Sequence, residues 1–111
     1  MVKGRTEALE KIKRFKALLE SKMELEKIIL FGSHNKGRQK RWSDIDLAVI
    51  SRQFESMDYH HRLVFLGMLA YQAKTTEIEA LGYTLDEYKN ATQMDFLGEI
   101  KRTGKIIYEK S

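Results

Sequence analysis

The hydrophobic period changes repeatedly along this chain, between the spacing of a helix and that of a strand. In residues 5–22 the apolar positions recur every three or four residues and form one stripe: Ala8, Ile12, Phe15 and Leu19. The next apolar residues, Ile28 to Phe31, are contiguous, which is typical of a short buried strand, and Gly32 ends the run. Such changes of period favour a layered α/β architecture over a helical bundle or a sandwich of strands.

The same alternation continues to the C terminus. We predict strands at Ile45–Ile50, Thr75–Leu81 and Lys105–Tyr108, and helices at 59–73 and 85–102, the second interrupted near Asn90. Thr84 and Glu87 have the spacing of a capping box, and Gly104 is placed to end the last helix. The order of elements predicts an α/β fold in layers.

Length and composition exclude several classes of protein. A chain of 111 residues fits a single domain, 1–111, and the absence of cysteine excludes disulfide scaffolds and thiolate zinc sites. The longest apolar stretch, Leu63–Tyr71, is about half the length of a membrane span, and Met1–Lys22 is too charged for a signal peptide. We therefore expect a soluble, cytoplasmic protein without a membrane partner.

Charge is distributed unevenly. Residues 1–41 contain twelve Lys and Arg against five Asp and Glu, whereas residues 42–111 contain eight against eleven. The net charge of +4 is too small to identify a nucleic-acid-binding protein by itself. A basic first part and an acidic second part would suit a site where a polyphosphate meets metal ions bound by carboxylates, and solvated helix faces are the simpler explanation.

The segment from Ile28 to Ile50 contains the residues most suggestive of chemistry. Its first strand ends in Gly32-Ser33, where glycine allows close approach of the backbone and backbone N–H groups with the serine hydroxyl can cradle a phosphate. An isolated Gly-Ser pair after a strand is more often an ordinary turn.

Two aspartates begin the second strand of this segment. Alternation along a strand puts Asp44 and Asp46 on one face and Ile45 and Leu47 on the other, in the core. Two neighbouring carboxylates repel each other, and a divalent cation such as magnesium removes the repulsion. Ten residues, 34–43, separate Ser33 from Asp44, which is enough for the chain to enter the neighbouring strand, so both features would lie at one end of the sheet.

Gly32-Ser33, ten residues, and then Asp44-Ile45-Asp46 before an apolar strand resemble the motif of the polymerase-β-type nucleotidyltransferase superfamily. The chain is most similar to the smallest branch, the minimal nucleotidyltransferases. The resemblance extends to Tyr83–Tyr88 and to the segment from Phe96 to Tyr108, and it covers roughly residues 5–109.

The resemblance implies a polymerase-β-type nucleotidyltransferase fold, with a mixed sheet flanked by helices. It also implies a reaction in which a nucleoside monophosphate, AMP from ATP, is transferred to an acceptor hydroxyl. Gly32 and Ser33 would bind the triphosphate, and Asp44 and Asp46 would bind Mg²⁺, as a pair of ions. A third carboxylate joins them in the family. We prefer Glu79, which lies between Ile78 and Ala80, over Glu77, which we expect on the same face of the third strand.

Relatives of this size often pair with a small helical HEPN-type protein in a toxin–antitoxin module, in which the nucleotidyltransferase is the antitoxin. A HEPN-type partner or a homodimer would then complete the cleft. Two alternatives stay open: a catalytically weak antitoxin that acts by contact, and an RNA-binding domain. The second would use the basic residues of the loop before Asp44, which are Lys36, Arg38, Lys40 and Arg41.

Overall fold

A computed structural model of the chain describes residues 2–32 and 44–111, with side chains from Glu7 onward. The first half contains helix α1 (Val2–Lys22), strands β1 (Lys27–Phe31) and β2 (Ile45–Ile50), and a 3-10 helix (Arg52–Ser56). The second half contains helix α2 (Tyr59–Gln72), strand β3 (Ile78–Tyr83), helices α3 (Leu85–Asn90) and α4 (Phe96–Thr103), and strand β4 (Lys105–Glu109). The predicted order of helices and strands is confirmed.

The four strands form one mixed sheet in the order β3-β2-β1-β4. β1 is antiparallel to both β2 and β4, and an irregularity between Ile28 and Ile29 shifts the β1–β4 register. β2 and β3 are parallel, and the chain crosses from one to the other through α2. A parallel pair needs a crossover of this kind, which explains the long apolar helix between the two strands.

Helices cover both faces of the sheet, as the resemblance to the nucleotidyltransferase family implied. On one face α1 and α2 pack on the sheet through a core that includes Phe15, Leu19 and Leu66, and the α1 stripe predicted from the sequence is buried there. On the other face α3 and α4 cover a smaller core around Ile50 and Ile100. In the parts of the chain that the structure describes, no helix is long and apolar enough to cross a membrane.

The third strand begins later than the sequence predicted. Thr75 is fully buried and ends α2 instead: its backbone N–H and its hydroxyl both donate to the carbonyl of Ala70, at 2.8 and 3.1 Å. Lys74, just before it, has a φ of +59°, and Ile78 donates back to the Thr75 carbonyl. The β-branched threonine indicated a strand, but here it closes a turn.

The predicted helix over 85–102 is two helices, with the break where the sequence placed it. The capping box is confirmed: the Thr84 hydroxyl accepts from the N–H of Glu87, whose carboxylate accepts from the N–H of Thr84. Gly98 lies so close to the loop between the helices that an added Cβ would be 1.6 Å from the carbonyl oxygen of Thr92. The last helix ends at Gly104, as predicted.

Candidate active site

Three strand ends meet at one edge of the sheet. β1 runs toward this edge and ends at Phe31, whereas β2 and β3 begin there, because β1 is antiparallel to β2 and β3 is parallel to it. Asp44 directly precedes β2, and Gly32 directly follows β1. The topology therefore brings together residues that are far apart in the sequence.

Asp46 occupies the middle of this arrangement. In the sheet register it is opposite Phe31 on one side and Glu79 on the other. Its neighbours Ile45 and Leu47 are buried in the core beneath α1 and α2, so the predicted alternation is confirmed and Asp46 faces the side covered by α3 and α4. Adjacent strands are about 4.8 Å apart, which places Asp46 and Glu79 side by side.

The Glu79 carboxyl group is affected by both aspartates. Its pKa is raised above the usual value, chiefly by a hydrogen bond with Asp44, then by partial burial and by the negative charges of Asp44 and Asp46. A carboxyl group whose pKa rises in this way holds its proton more tightly and donates it to the neighbouring carboxylate. The three acidic groups thus behave as one cluster in which negative charge is unfavourable.

Gly32 lies against this cluster. Its φ of +78° belongs to the left-handed region, which glycine adopts without steric cost. A Cβ added at this position would be 2.4 Å from the Oδ2 atom of Asp46. The absence of a side chain at Gly32 therefore leaves room for the carboxylate of Asp46 and brings the backbone at the end of β1 close to it.

Glu77 does not share the face of Glu79, and this part of the sequence interpretation is wrong. The Glu77 carboxylate pairs with the Lys11 ammonium of α1 at 2.8 Å, and this hydrogen bond is the main cause of its lowered pKa. The strand begins only at Ile78, so the alternation of faces does not extend back to Glu77. Of the two glutamates, it is Glu79 that lies beside the aspartates.

Ser33 and the basic loop residues Lys36, Arg38, Lys40 and Arg41 lie outside the described residues. Within residues 2–32 and 44–111, no three or more His, Cys, Asp or Glu side chains are arranged to hold a metal ion. The donors at the site are nevertheless carboxylate oxygens, the ligands that Mg²⁺ prefers, and their mutual repulsion is what a divalent cation would remove. The chemistry of the donor set fits magnesium.

A cleft that the sequence did not predict opens on the same face of the sheet, with a volume of about 470 Å³. Its walls include Tyr59 at the start of α2, Tyr83 at the end of β3 and Phe96 at the start of α4. These residues come from separate segments, so no spacing pattern connects them. Nothing in the sequence indicates the role of Arg62 either, because it follows His60 and His61 in the polar first turn of α2 and only the structure shows that it is buried.

Arg62 holds the cleft wall together. It is 7% exposed, and its guanidinium donates to the backbone carbonyls of Phe54, Met57 and Gly82 at 3.1 to 3.3 Å. It also donates to the carboxylate of Glu87 at 2.8 Å. One side chain thereby joins the 3-10 helix, α2, the end of β3 and α3.

Comparison with known proteins identifies the family. The family model described as "Polymerase beta, Nucleotidyltransferase" matches residues 10–111. A candidate nucleotidyltransferase from Sulfolobus solfataricus has a similar crystal structure, with a TM-score of 0.69 and 14% identity over 98% of this chain and 86% of that one. A toxin–antitoxin crystal structure with AMP-PNP gives a TM-score of 0.61 and 23% identity over 88% of this chain and 73% of that one. Comparison with curated protein sequences gives no match. The match over residues 10–111, on a fold with the same mixed sheet, means that this chain belongs to the polymerase beta nucleotidyltransferase family.

Proposed function

We propose that the protein is a magnesium-dependent nucleotidyltransferase that transfers AMP from ATP to an acceptor hydroxyl. The observation that carries the proposal is the cluster of Asp44, Asp46 and Glu79 beside the glycine that ends β1. Membership of the family supports it, since nucleotidyl transfer is the reaction for which the family is named.

Each residue of the cluster has a role in this proposal. Asp44, Asp46 and Glu79 would bind Mg²⁺, and a bound pair of ions would neutralise charge on the triphosphate and on the departing pyrophosphate. The backbone at Gly32, with Ser33, would hold the triphosphate close to Asp46. The protein contributes alignment and charge neutralisation, which are the main requirements of transfer at phosphorus.

The reaction balances without a further reagent. The acceptor oxygen forms a bond to the α-phosphorus, the bond from that phosphorus to the oxygen bridging to the β-phosphate breaks, and pyrophosphate leaves. The proton of the acceptor hydroxyl needs a base, and an ionised carboxylate of the cluster is within the site. We assign this role to Glu79 once its own proton has been lost.

We further propose that the acceptor belongs to a partner protein, a small helical protein of the HEPN type, and that this chain is its antitoxin. The similarity to a toxin–antitoxin structure supports a protein partner. A homodimer is the alternative way to complete the site.

The test separates binding from transfer. With magnesium and α,β-methylene-ATP, whose α–β linkage cannot be cleaved, calorimetry on the wild-type protein is expected to show uptake that Asp44→Asn and Asp46→Asn abolish. Asp86→Asn, an exposed aspartate on α3, is the matched control. Label from α-labelled ATP should pass to the partner only with the wild type and the control.

The two glutamates provide a second matched pair. Glu79→Gln is expected to abolish transfer, whereas Glu77→Gln, whose carboxylate pairs with Lys11 on the other face, should leave it intact. The reverse result would transfer the third carboxylate role to Glu77. The proposal is refuted if both aspartate variants still bind the nucleotide as the wild type does.

A catalytically weak antitoxin that acts by contact is the second candidate. The observation that favours it is that, among the described residues, the acidic side chains do not already form a three-ligand metal site. Under this alternative, neutralisation of the partner is unaffected by Asp44→Asn and Asp46→Asn, and no label is transferred.

A further inference from the structure

The cleft beside the carboxylate cluster has the composition of a site for an uncharged, flat group. Tyr59 is 46% exposed and Phe96 is 60% exposed, although both are large aromatic side chains. Their rings and that of Tyr83 line a cleft of about 470 Å³. Exposed aromatic rings around a cleft are platforms on which a nucleobase can stack.

One pair of aromatic rings connects the cleft wall with the strand end next to the carboxylate cluster. The ring of Phe96 packs edge-on against the ring of Phe31, with centroids 5.8 Å apart, and Phe31 is opposite Asp46 in the sheet. At the far end, Tyr83 lies four residues after Glu79 on the same face of β3, a distance of about 13 Å at the usual rise of a strand. This separation is comparable to the extent of a nucleotide from phosphate to base.

The charge of the cleft disfavours a phosphate. Two carboxylates, Glu87 and Asp95, line it together with Arg62. The guanidinium of Arg62 is already engaged by Glu87 and by three backbone carbonyls. A triphosphate would be repelled from this region, whereas an uncharged base would not.

Two side chains of the cleft have hydrogen-bonding capacity to spare. The exposed side-chain amide of Asn90 makes no hydrogen bond within residues 2–32 and 44–111. In Asp95, one carboxylate oxygen accepts from the N–H of Thr92, and the other carboxylate oxygen makes no hydrogen bond with the described residues. An amide group offers a donor and an acceptor together, which matches the edge of adenine. A carboxylate accepts from an exocyclic amine and repels a carbonyl oxygen, so the pair favours adenine over uracil.

We infer that this cleft binds the base of the nucleoside triphosphate, with Tyr59 and Phe96 stacking on the ring and Asn90 and Asp95 selecting an amino-bearing base, adenine. The inference rests on the proposed function, because it assumes that the triphosphate lies at the carboxylate cluster. It assigns base recognition to α2, α3 and α4, separately from the strand ends that would hold the phosphates.

The test compares ligands with and without a base. Calorimetry with magnesium would measure binding of α,β-methylene-ATP, of α,β-methylene-UTP and of inorganic tripolyphosphate. The wild type is expected to prefer the adenine nucleotide over the uracil nucleotide by about tenfold, the discrimination that one good amide–base pair provides. Tyr59→Ala should weaken binding of the adenine nucleotide by about tenfold, the loss of one stacking platform, and leave tripolyphosphate binding unchanged.

Asn90→Ala, an exposed position at the end of α3, keeps the test independent of any effect of Tyr59 on folding. It should weaken binding of the adenine nucleotide and lower the ratio of adenine to uracil affinity, and the preference that remains is the contribution of the Asp95 carboxylate. Tyr71→Ala is the control, because Tyr71 is an equally large aromatic, 75% exposed, on the same helix as Tyr59 but outside the cleft. It should change none of the affinities.

Several results would overturn the inference while leaving the proposed function in place. One is an adenine-nucleotide affinity that is unchanged in both cleft variants, and another is an equal loss of nucleotide and tripolyphosphate binding. A third is loss of transfer to the partner with nucleotide affinity unchanged, which would mean that the cleft binds the acceptor. A wild-type protein that binds neither nucleotide nor tripolyphosphate would instead refute the proposed function itself.

Discussion

Replacing Gly32 by alanine is expected to damage stability and catalysis through one contact. The backbone at Gly32 has a φ of +78°, and an alanine Cβ would be 2.4 Å from the Oδ2 of Asp46 and 3.2 Å from its Cγ. Since these separations are shorter than van der Waals contact, the Asp46 carboxylate has to move away. The substitution therefore tests whether Asp46 must stay where the glycine leaves room for it.

The magnitude follows from the backbone and from the size of the chain. A non-glycine residue in the left-handed region costs about 1–2 kcal/mol. At an unfolding entropy of about 2.1 cal/mol/K per residue, this lowers the Tm of a 111-residue protein by roughly 4–9 °C. A displacement of a catalytic group by about 1 Å can cost a hundredfold in rate, so we expect transfer from α-labelled ATP to fall by about that factor.

Gly67→Ala is the matched control for this substitution. Gly67 lies in α2 with its Cβ position open, no atom being within 4 Å of it. Alanine is favoured over glycine within a helix by about 1 kcal/mol, so Gly67→Ala should raise the Tm, by roughly 4 °C, with transfer unchanged. Thermal unfolding followed by circular dichroism measures the Tm of both variants, and transfer from α-labelled ATP measures their activity. If Gly32→Ala unfolds at the wild-type temperature and keeps full activity, the assigned role of Gly32 is wrong.

Two more predictions concern the acidic cluster and the cleft wall. Because the folded-state pKa of Glu79 is raised, the metal-free protein binds its proton more tightly than the unfolded chain does, and stability falls as pH rises through that pKa. Glu79→Gln should therefore unfold at a higher urea concentration than the wild type at pH 7.5, with the difference shrinking toward pH 4; a wild type that is the more stable at pH 7.5 would contradict this. Arg62→Met removes the donor to three backbone carbonyls and should cost about 2–4 kcal/mol of unfolding free energy, whereas Glu87→Gln should cost under about 1 kcal/mol because Glu87 is half exposed. Urea unfolding measures the unfolding free energy of both variants. A cost below about 1 kcal/mol for Arg62→Met would show that the three backbone carbonyls find other hydrogen-bond donors.

Local patterns predicted much of this fold correctly. The stripe from Ala8 to Leu19, the alternation around Asp46 and the capping box of Thr84 each depend on residues within a few positions of one another. In such cases the periodicity of a helix or strand decides which side chains are buried, and the sequence displays that periodicity directly. The relative position of Gly32 and Asp46 was also predictable, since the chain between two neighbouring strands is short.

Features that depend on distant contacts were not predictable in the same way. Glu77 pairs with Lys11, sixty-six positions away, and this contact with α1 separates it from Glu79. The cleft depends on Arg62, whose partners lie in three other elements. Tertiary contacts overrode local preference at each of these positions.

The pairing of β2 with β3 has a consequence for how the acidic cluster forms. Asp46 is opposite Glu79 only in one alignment of the two strands, and a slip by a single residue would turn Glu79 toward α1 and α2. That slip would also expose Ile78 and Ala80, which are buried on the side opposite Glu79. Burial of the apolar side chains on one face of the sheet thus fixes the strand register that places the acidic side chains next to each other on the other face. A substitution among these buried apolar residues, which lie on the face opposite the acidic cluster, would abolish activity if it shifted the register of β3 against β2.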